Sequence, residues 1–183
     1  DIEHANKKHL EAININIMGT VNVLEACAKN KAKKLIFASS IYARSKQGGF
    51  YSTTKLTGEM LIERYAKKFN LKYNILRFGS LYGPNANYFN TVKKFIIQGL
   101  KFKKIVRMGN GQEVRRYIHT LDASKICYEI SKKKYDNKCF NIIGKEKKKI
   151  KDVMKLIAAE LKIKKIILNK NVNDESHYKI QPF

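Results

Sequence analysis

Apolar residues recur at three- and four-residue steps near the start of the chain. They are Leu10, Ile13, Ile17, Val21, Leu24 and Ala28. This spacing predicts a helix with one apolar face, because such steps bring side chains to the same side of a helix. We expect this helix to end at Asn30 and the lysines that follow it.

A strand, a helix and a second strand are predicted next. Residues 34–38 form a short apolar run that ends at Ser39-Ser40, the pattern of a buried parallel strand. After Gly48-Gly49, the pattern predicts a helix from about Phe50 to Phe69 and a strand over 72–78. This alternation predicts an α/β fold with a doubly wound parallel sheet.

The second half of the chain has the pattern of a smaller α/β lobe. The predicted elements are a helix from about Asn90 to Leu100, two short strands flanking Gly109-Asn110-Gly111, a helix from Asp122, a strand over 139–143, a lysine-rich helix ending near Leu161, and the apolar run 163–168.

Composition limits the classes of protein to consider. With 183 residues and 44% hydrophobic side chains, the chain fits one globular domain, or one domain and a small lobe. No run approaches the roughly 18 apolar residues of a membrane span, and the charged start lacks a signal-peptide core. We therefore predict a cytoplasmic protein without a membrane partner. Cys27, Cys127 and Cys139 are widely spaced, which favours reduced thiols and no metal site.

The formal charge of +23 has two interpretations. It could attract a polyanion such as nucleic acid, or it could be a solvated surface. The excess is almost entirely lysine, in clusters where helices end or turns begin, and only six arginines are present. Nucleic-acid grooves usually combine arginine with aromatic residues, so we predict surface charge and no nucleic-acid partner.

Tyr51 and Lys55 are four residues apart and therefore share one face of the predicted helix. A nearby ammonium group favours a phenolate, so we expect Lys55 to lower the Tyr51 pKa and to let the tyrosine exchange a proton with a substrate hydroxyl. The spacing alone is also that of an ordinary surface helix. Ser39-Ser40 strengthens the catalytic interpretation, because ligands bind at the carboxyl ends of parallel strands.

Five motifs together resemble the NAD-dependent epimerase/dehydratase family of extended short-chain dehydrogenases/reductases, UDP-glucose 4-epimerases in particular. In order, they are 16–26 (NIMGTVNVLEA), 35–40 (LIFASS), 51–55 (YSTTK), 76–84 (LRFGSLYGP), and 114–119 (VRRYIH) followed by Asp122.

The resemblance implies a role for each matching residue. It implies that Tyr51 is the acid/base, that Lys55 holds the nicotinamide ribose, and that Ser40 hydrogen-bonds the reacting hydroxyl. For the cofactor NAD, the implied binding residues are Asn16, Ser39, Tyr51, Lys55 and Gly79. For the substrate they are Ser40, Ser80 and Arg115, the arginine pairing with a diphosphate.

Some residues depart from the family pattern. The interval between Ser40 and Tyr51 is short, and Arg116 replaces the usual acidic residue, so that it either strengthens anion binding or faces solvent. Ile41-Tyr42 follows Ser40 in place of the acidic cluster of sugar dehydratases, which disfavours dehydration. His119 follows the pattern, and we expect a structural role for it rather than that of a base.

The resemblance implies a nucleotide-sugar epimerase, most simply a UDP-hexose 4-epimerase, that acts on a nucleotide-diphosphate sugar as a homodimer. Two alternatives remain open. One is an NAD(P)-dependent reductase or dehydrogenase of the same family, and the other is a catalytically inactive basic binding module.

The resemblance also divides the chain. We predict a partial Rossmann-type domain over 1–84, to which 113–133 returns, and a small substrate-binding lobe over 85–112 and 134–183. The sequence has no glycine-rich dinucleotide-binding turn after an early strand, so we expect that an N-terminal segment is missing. By themselves, these residues should bind NAD poorly and be inactive.

Overall fold

A computed structural model describes residues 2–169. Its helices are α1 (Ile2–Lys7), α2 (His9–Ile13), α3 (Gly19–Lys29), α4 (Gly49–Phe69), α5 (Thr91–Phe102), α6 (Thr120–Ile130) and α7 (Ile150–Glu160). Its strands are β1 (Lys34–Ser40), β2 (Lys72–Phe78), β3 (Ser80–Tyr82), β4 (Lys104–Met108), β5 (Val114–Arg115), β6 (Tyr117–His119), β7 (Lys138–Ile142), β8 (Lys148–Lys149) and β9 (Lys165–Asn169). The predicted α/β class is confirmed.

The main sheet is parallel and has the strand order β1-β2-β7, with β1 at one edge. Helices cover both of its faces. On one face, α3 and α4 pack Leu24 and Ile62 near Leu35 and Phe37 of β1. Successive strand residues point to opposite faces, and Leu76 accordingly packs with residues of α6. Burial on both faces explains why Ile75 and Leu76, neighbours in β2 that point to opposite faces, are both apolar and both buried.

A second core lies between α5, α7 and the parallel pair of β4 and β9. Its buried residues are Phe95, Ile105, Ile150, Met154, Ala158 and Ile163. The two strands that flank the Gly109-Asn110-Gly111 turn do not pair with each other. Instead, β4 pairs with β9, and β5 forms an antiparallel pair with β8.

The predicted division of the chain is wrong at one point. It assigned 134–183 to the small lobe, but β7 pairs with β2 along 74–78 and is a strand of the main sheet. The short run 139–143 carries no signal that distinguishes the two sheets, because both contain buried parallel strands. The rest of this division stays a prediction, and 170–183 lies outside the described residues.

The first predicted helix is interrupted by a π-helical turn at Asn14–Met18, between α2 and α3. An i→i+5 turn holds one residue more than an α-helical turn, so the residues before it are rotated by roughly 100° relative to those after it. As a result, Leu24 is fully buried, whereas Leu10 is 70% exposed. The prediction of one continuous helix with a single apolar face is therefore wrong at the π turn, which separates Leu10 from Leu24.

The longest described helix, α4, has 21 residues. Charged side chains, including Lys55, Glu59 and Glu63, interrupt it along its length. Within residues 2–169, no helix combines the length and the apolar character needed to cross a membrane.

Candidate active site

Ser40 lies at the carboxyl end of β1 and starts the short loop that leads to α4. Its Oγ accepts a hydrogen bond from the backbone N–H of Tyr42 at 3.2 Å and caps a 3₁₀ turn over Ile41–Arg44. Ser40 is buried, as are Ile41 and Tyr42. The loop turns back at Gly48, whose φ of 96° is in the left-handed region that favours glycine. The short loop therefore still fixes the position of Ser40.

Tyr51 lies in the first turn of α4 and meets Ser40. Burial raises the pKa of Tyr51, and a hydrogen bond with the Ser40 side chain lowers it by a smaller amount. The ring of Tyr42 packs edge-to-face against that of Tyr51, with 6.5 Å between ring centroids. The structure thus brings the predicted acid/base and the predicted serine together.

Lys55 lies one turn further along α4. Its Nζ donates a hydrogen bond to the backbone carbonyl of Ala38 at 3.0 Å and lies 5.2 Å from the centre of the Phe37 ring. Burial lowers the pKa of Lys55 because the ammonium loses water. The expectation that the pKa of Tyr51 is lowered is wrong for this structure: desolvation of the phenolate outweighs the stabilising contacts, so that pKa is raised.

Asn16 lies in the π-helical turn and contacts the same part of α4. Its Nδ2 donates to Thr54 Oγ1 at 3.0 Å, and Thr54 in turn donates to the backbone carbonyl of Tyr51 at 3.0 Å. Thr54 is buried and lies between the two predicted catalytic residues in sequence. A π turn at such a position is common at functional sites. Asn16 is therefore linked to the start of α4 through Thr54.

A cavity of about 390 Å³ lies beside Tyr51. Its walls come from the serine loop, the segment after β2, the start of α5, and strands β4 to β6. The residues that matter for chemistry are Tyr42, Tyr51, Gly79, Ser80, Arg107 and Arg115. The cavity therefore brings together the predicted acid/base and two of the three predicted substrate residues, Ser80 and Arg115. Ser40 is not among its lining residues, and neither are Asn16, Ser39 and Lys55 of the predicted cofactor set.

The three arginines near the cavity have different surroundings. Arg115 is 6% exposed and lines the cavity, and its Nη1 donates to the carbonyl of Val114. Arg107 forms an ion pair with Glu113 at 2.7 Å. Arg116 Nη1 donates to the carbonyls of Gly144 and Lys145 at 3.3 and 3.2 Å. Arg116 therefore holds the loop after β7, a role that neither of its two predicted alternatives included.

Gly79 is a point of close packing. Its N–H donates to the carbonyl of Ile142 at 3.0 Å, and a Cβ atom at this position would lie 2.9 Å from Ile143 Cγ2. A side chain at position 79 would therefore require the Ile143 side chain to move. His119 caps α6, since its Nδ1 accepts from the backbone N–H of Leu121 at 3.2 Å.

Glu59 and Arg77 are site residues that the sequence analysis missed. Arg77 donates to both carboxylate oxygens of Glu59, and the Ser39 hydroxyl donates to one of them at 2.5 Å. The Ser39 hydroxyl is thus engaged by Glu59, so a cofactor contact of Ser39 would have to use its backbone. A possible signal was the position of Glu59, four residues after Lys55 on the same helix.

A second and larger cavity, of about 800 Å³, lies between α6, α7 and β6. Tyr117 and His119 are among its lining residues, but Tyr51 and Arg115 are not. The chemical groups described above converge on the smaller cavity, so we treat that one as the candidate active site.

The model of the NAD-dependent epimerase/dehydratase family matches residues 1–144. The chain belongs to this family. A relative that is 32% identical over 156 residues is an uncharacterized UDP-glucose epimerase, YtcB, of Bacillus subtilis; the match covers 78% of this chain and 49% of the relative. Another relative, 29% identical over 168 residues, is a UDP-N-acetyl-α-D-glucosaminuronate decarboxylase of Bacillus cytotoxicus. This match covers 80% of this chain and 52% of the relative.

Solved structures of the family are similar to this chain. The UDP-glucuronic acid 4-epimerase of Bacillus cereus, in complex with UDP-glucuronic acid and NAD, has a TM-score of 0.81 at 27% identity, covering 92% of this chain and 58% of that one. The UDP-glucose 4-epimerase of Thermotoga maritima with UDP-glucose has a TM-score of 0.89 at 22% identity, and the match covers 99% of this chain and 64% of that one. At 22% identity, the similarity to the Thermotoga maritima enzyme shows only that the two chains share a fold.

Relatives of this chain include proteins named as sugar-nucleotide epimerases, decarboxylases and dehydratases. The chain spans about half the length of the curated relatives described above, 49% and 52%.

Proposed function

We propose that this family member is part of an NAD-dependent nucleotide-sugar epimerase, most simply a UDP-hexose 4-epimerase. One observation carries the proposal. The Tyr51 side chain lies beside that of Ser40 at the wall of a cavity that also contains Arg115. A proton-transfer group, a hydroxyl that can hold the reacting oxygen and a guanidinium for phosphate are thus within one site.

The cavity fits the charge of a sugar nucleotide. Arg115 supplies a planar guanidinium at a largely buried position, where a diphosphate would be bound more strongly than in water. Ser80 adds a hydroxyl to the same wall, and Asn87 and Asn90 add amide groups. We assign Arg115 to the diphosphate and Ser80 to the nucleotide-sugar. The B. cereus relative with UDP-glucuronic acid supports this substrate class.

The residues around Lys55 fit a nicotinamide nucleotide. The ammonium group has three N–H donors and uses one on the Ala38 carbonyl, so two can bind the hydroxyls of a ribose. We assign Lys55, Asn16 and the backbone at Ser39 and Gly79 to this cofactor. When bound, NAD supplies the transient acceptance of hydride that epimerisation through a keto-sugar requires.

The side chains then have separate tasks. Tyr51 Oη takes the proton of the sugar hydroxyl and returns it, while Ser40 holds the same oxygen in place. Because burial raises the pKa of Tyr51, the phenol is protonated in the free protein at neutral pH. Activity that begins with the phenolate should therefore increase as pH rises on the alkaline side.

The experiment uses the full-length gene product with NAD and a panel of UDP-hexoses and UDP-hexuronic acids. We expect interconversion of 4-epimers without net accumulation of NADH, and a decrease in kcat of about 10²- to 10⁴-fold for Tyr51→Phe. Tyr65→Phe is the matched control, because Tyr65 is on the same helix but is bonded to Glu25 away from the cavity.

Three results would count against the proposal. Sugar-dependent net turnover of NAD(H) would indicate the reductase or dehydrogenase alternative. Absence of any sugar conversion, or equal activity of Tyr51→Phe and Tyr65→Phe, would end the epimerase assignment.

We also propose that the protein is a homodimer built on α3 and α4. These helices and the turns before them expose large apolar side chains: Ile15 (63%), Met18 (49%), Val23 (50%), Phe50 (42%) and Met60 (54%). Exposed apolar side chains concentrated on neighbouring helices are typical of an association surface. Light scattering coupled to gel filtration should give twice the protomer mass for the parent protein. The Val23→Glu variant should have the mass of a single protomer. A parent protein with the mass of a single protomer would refute the dimer.

A further inference from the structure

Glu59 is a buried carboxylate that does not line the candidate site but contacts Ser39, the neighbour of Ser40. Its side chain is 1% exposed, and it lies on α4 one turn after Lys55. Arg77 Nε and Nη2 donate to its two oxygens at 2.9 and 2.6 Å, and Ser39 Oγ donates at 2.5 Å. Arg44 of the serine loop lies within 3.9 Å of the same carboxylate.

Two partners of Glu59, Ser39 and Arg77, lie close in sequence to proposed active-site residues. Ser39 immediately precedes Ser40 on β1. Arg77 is the residue opposite Ser39 in the β1–β2 register and precedes Gly79 and Ser80 by two and three positions. One carboxylate thus connects β1, β2 and α4 at the edge of the sheet where Tyr51 meets Ser40.

The chemistry of this network favours a role in geometry. A buried ion pair contributes little net stability compared with apolar packing, because both charges lose water. Hydrogen bonds, however, constrain direction. The bond between Ser39 and Glu59 fixes the last residues of β1 against α4, and thereby the Ser40 hydroxyl against the Tyr51 oxygen.

We infer that Glu59 is a positioning residue for the proposed reaction: through Ser39 and Arg77, it holds the side chain of Ser40 beside that of Tyr51. This inference rests on the proposed function for its kinetic consequence. Its geometric consequence stands without that function, because the contact between Ser40 and Tyr51 is present in the protein alone.

The experiment compares Ser39→Ala and Glu59→Gln with Asp136→Asn. The last substitution removes the charge of an ion pair, Lys34–Asp136, whose side chains are 16% and 18% exposed. Lys34 is the first residue of β1, and Ser39 and Ser40 are at the other end of that strand. It is therefore a control for loss of a largely buried charge pair. Ser39→Ala removes a single hydroxyl, so it reports on the network even if Glu59→Gln fails to fold.

Two readouts are needed. In the full-length gene product, Ser39→Ala and Glu59→Gln should decrease kcat about tenfold or more with KM changed less, since small misplacements of catalytic groups are costly. Titration of the ¹³Cζ resonance of Tyr51 by NMR should show its pKa above that of the parent protein, because the Ser40 hydrogen bond that lowers it is loosened. Ser39→Thr, which restores the hydroxyl, should restore both values.

Asp136→Asn should lower Tm but leave kcat and the Tyr51 pKa unchanged. The inference fails if Ser39→Ala and Glu59→Gln leave the Tyr51 titration at the parent value, or if Asp136→Asn shifts it equally. If the parent protein converts no sugar nucleotide, the proposed function fails, while the NMR titration still decides whether Glu59 positions Ser40.

Discussion

Lys34 offers a sharp test of how the main sheet is joined to α6. It is the first residue of β1, and its ammonium lies at the C-terminal end of α6, where helix carbonyls have no partner within the helix. Nζ donates to the carbonyls of Ile130, Ser131 and Lys132 at 3.3, 3.0 and 3.4 Å. It also lies 2.8 Å from an oxygen of Asp136.

Lys34→Met keeps most of the apolar stem and removes the charge. A hydrogen bond to a charged group contributes about 1.5–3 kcal/mol, and breaking a fully buried ion pair costs about 3–5 kcal/mol. The Lys34 and Asp136 side chains are 16% and 18% exposed, so water partly replaces the lost partner. We therefore expect a loss of about 2–3 kcal/mol in the free energy of unfolding, or roughly 4–12 °C in Tm for a domain of this size.

The measurement is urea unfolding followed by circular dichroism, with a double-mutant cycle of Lys34→Met and Asp136→Asn. Lys132→Met is the control, because it removes an ion pair with Glu129 in which the side chains are 48% and 41% exposed. That change should cost much less than Lys34→Met, because solvent screens an exposed ion pair. A Lys34→Met protein as stable as the Lys132→Met protein would show that the ammonium does not connect β1 to α6.

Two further predictions concern the site and the backbone around it. Ser40→Ala should raise the pKa of Tyr51 further, because it removes the contact that lowers this pKa. The phenolate, and any activity that depends on it, should then appear only at higher pH. A ¹³Cζ titration in which the pKa of Tyr51 decreases would contradict this prediction. Gly144→Ala should prevent soluble folding, because the added Cβ would lie 1.9 Å from the Tyr117 carbonyl oxygen. In Gly19→Ala the nearest atom to the added Cβ is 3.9 Å away, so this change should stabilise α3 by about 0.5–1 kcal/mol in thermal unfolding.

Local pattern was sufficient for most elements of the fold. The run from Lys72 to Phe78 is a strand with those bounds, and the helix expected from about Phe50 to Phe69 is α4, Gly49–Phe69. These segments have strong periodicity and clear ends at glycine. Of the predicted site residues, Tyr51, Gly79, Ser80 and Arg115 line one cavity. The motifs predicted these four residues individually, because each matches a separate part of the family pattern.

Other features depend on contacts that a sequence does not display. The pKa of Tyr51 follows from burial, which spacing to Lys55 does not reveal. Glu59 looks like one more charge on a polar helix until Arg77 and Ser39 are found beside it. A sequence pattern with a period of 3.6 residues assumes a regular α-helix and does not predict the π turn at Asn14–Met18. This turn moves Leu10 away from the helix face that carries Leu24.

The edge position of β1 has a practical consequence for handling these 183 residues by themselves. Within the described range, β1 pairs only with β2, so one row of its backbone groups has no ladder partner, and its Ile36 is 40% exposed. From Leu35 to Ser40 the strand carries no charge, and charged residues and proline are the usual deterrents to edge-to-edge pairing. We expect self-association through β1 at high concentration, and a lysine in place of Ile36 should suppress it.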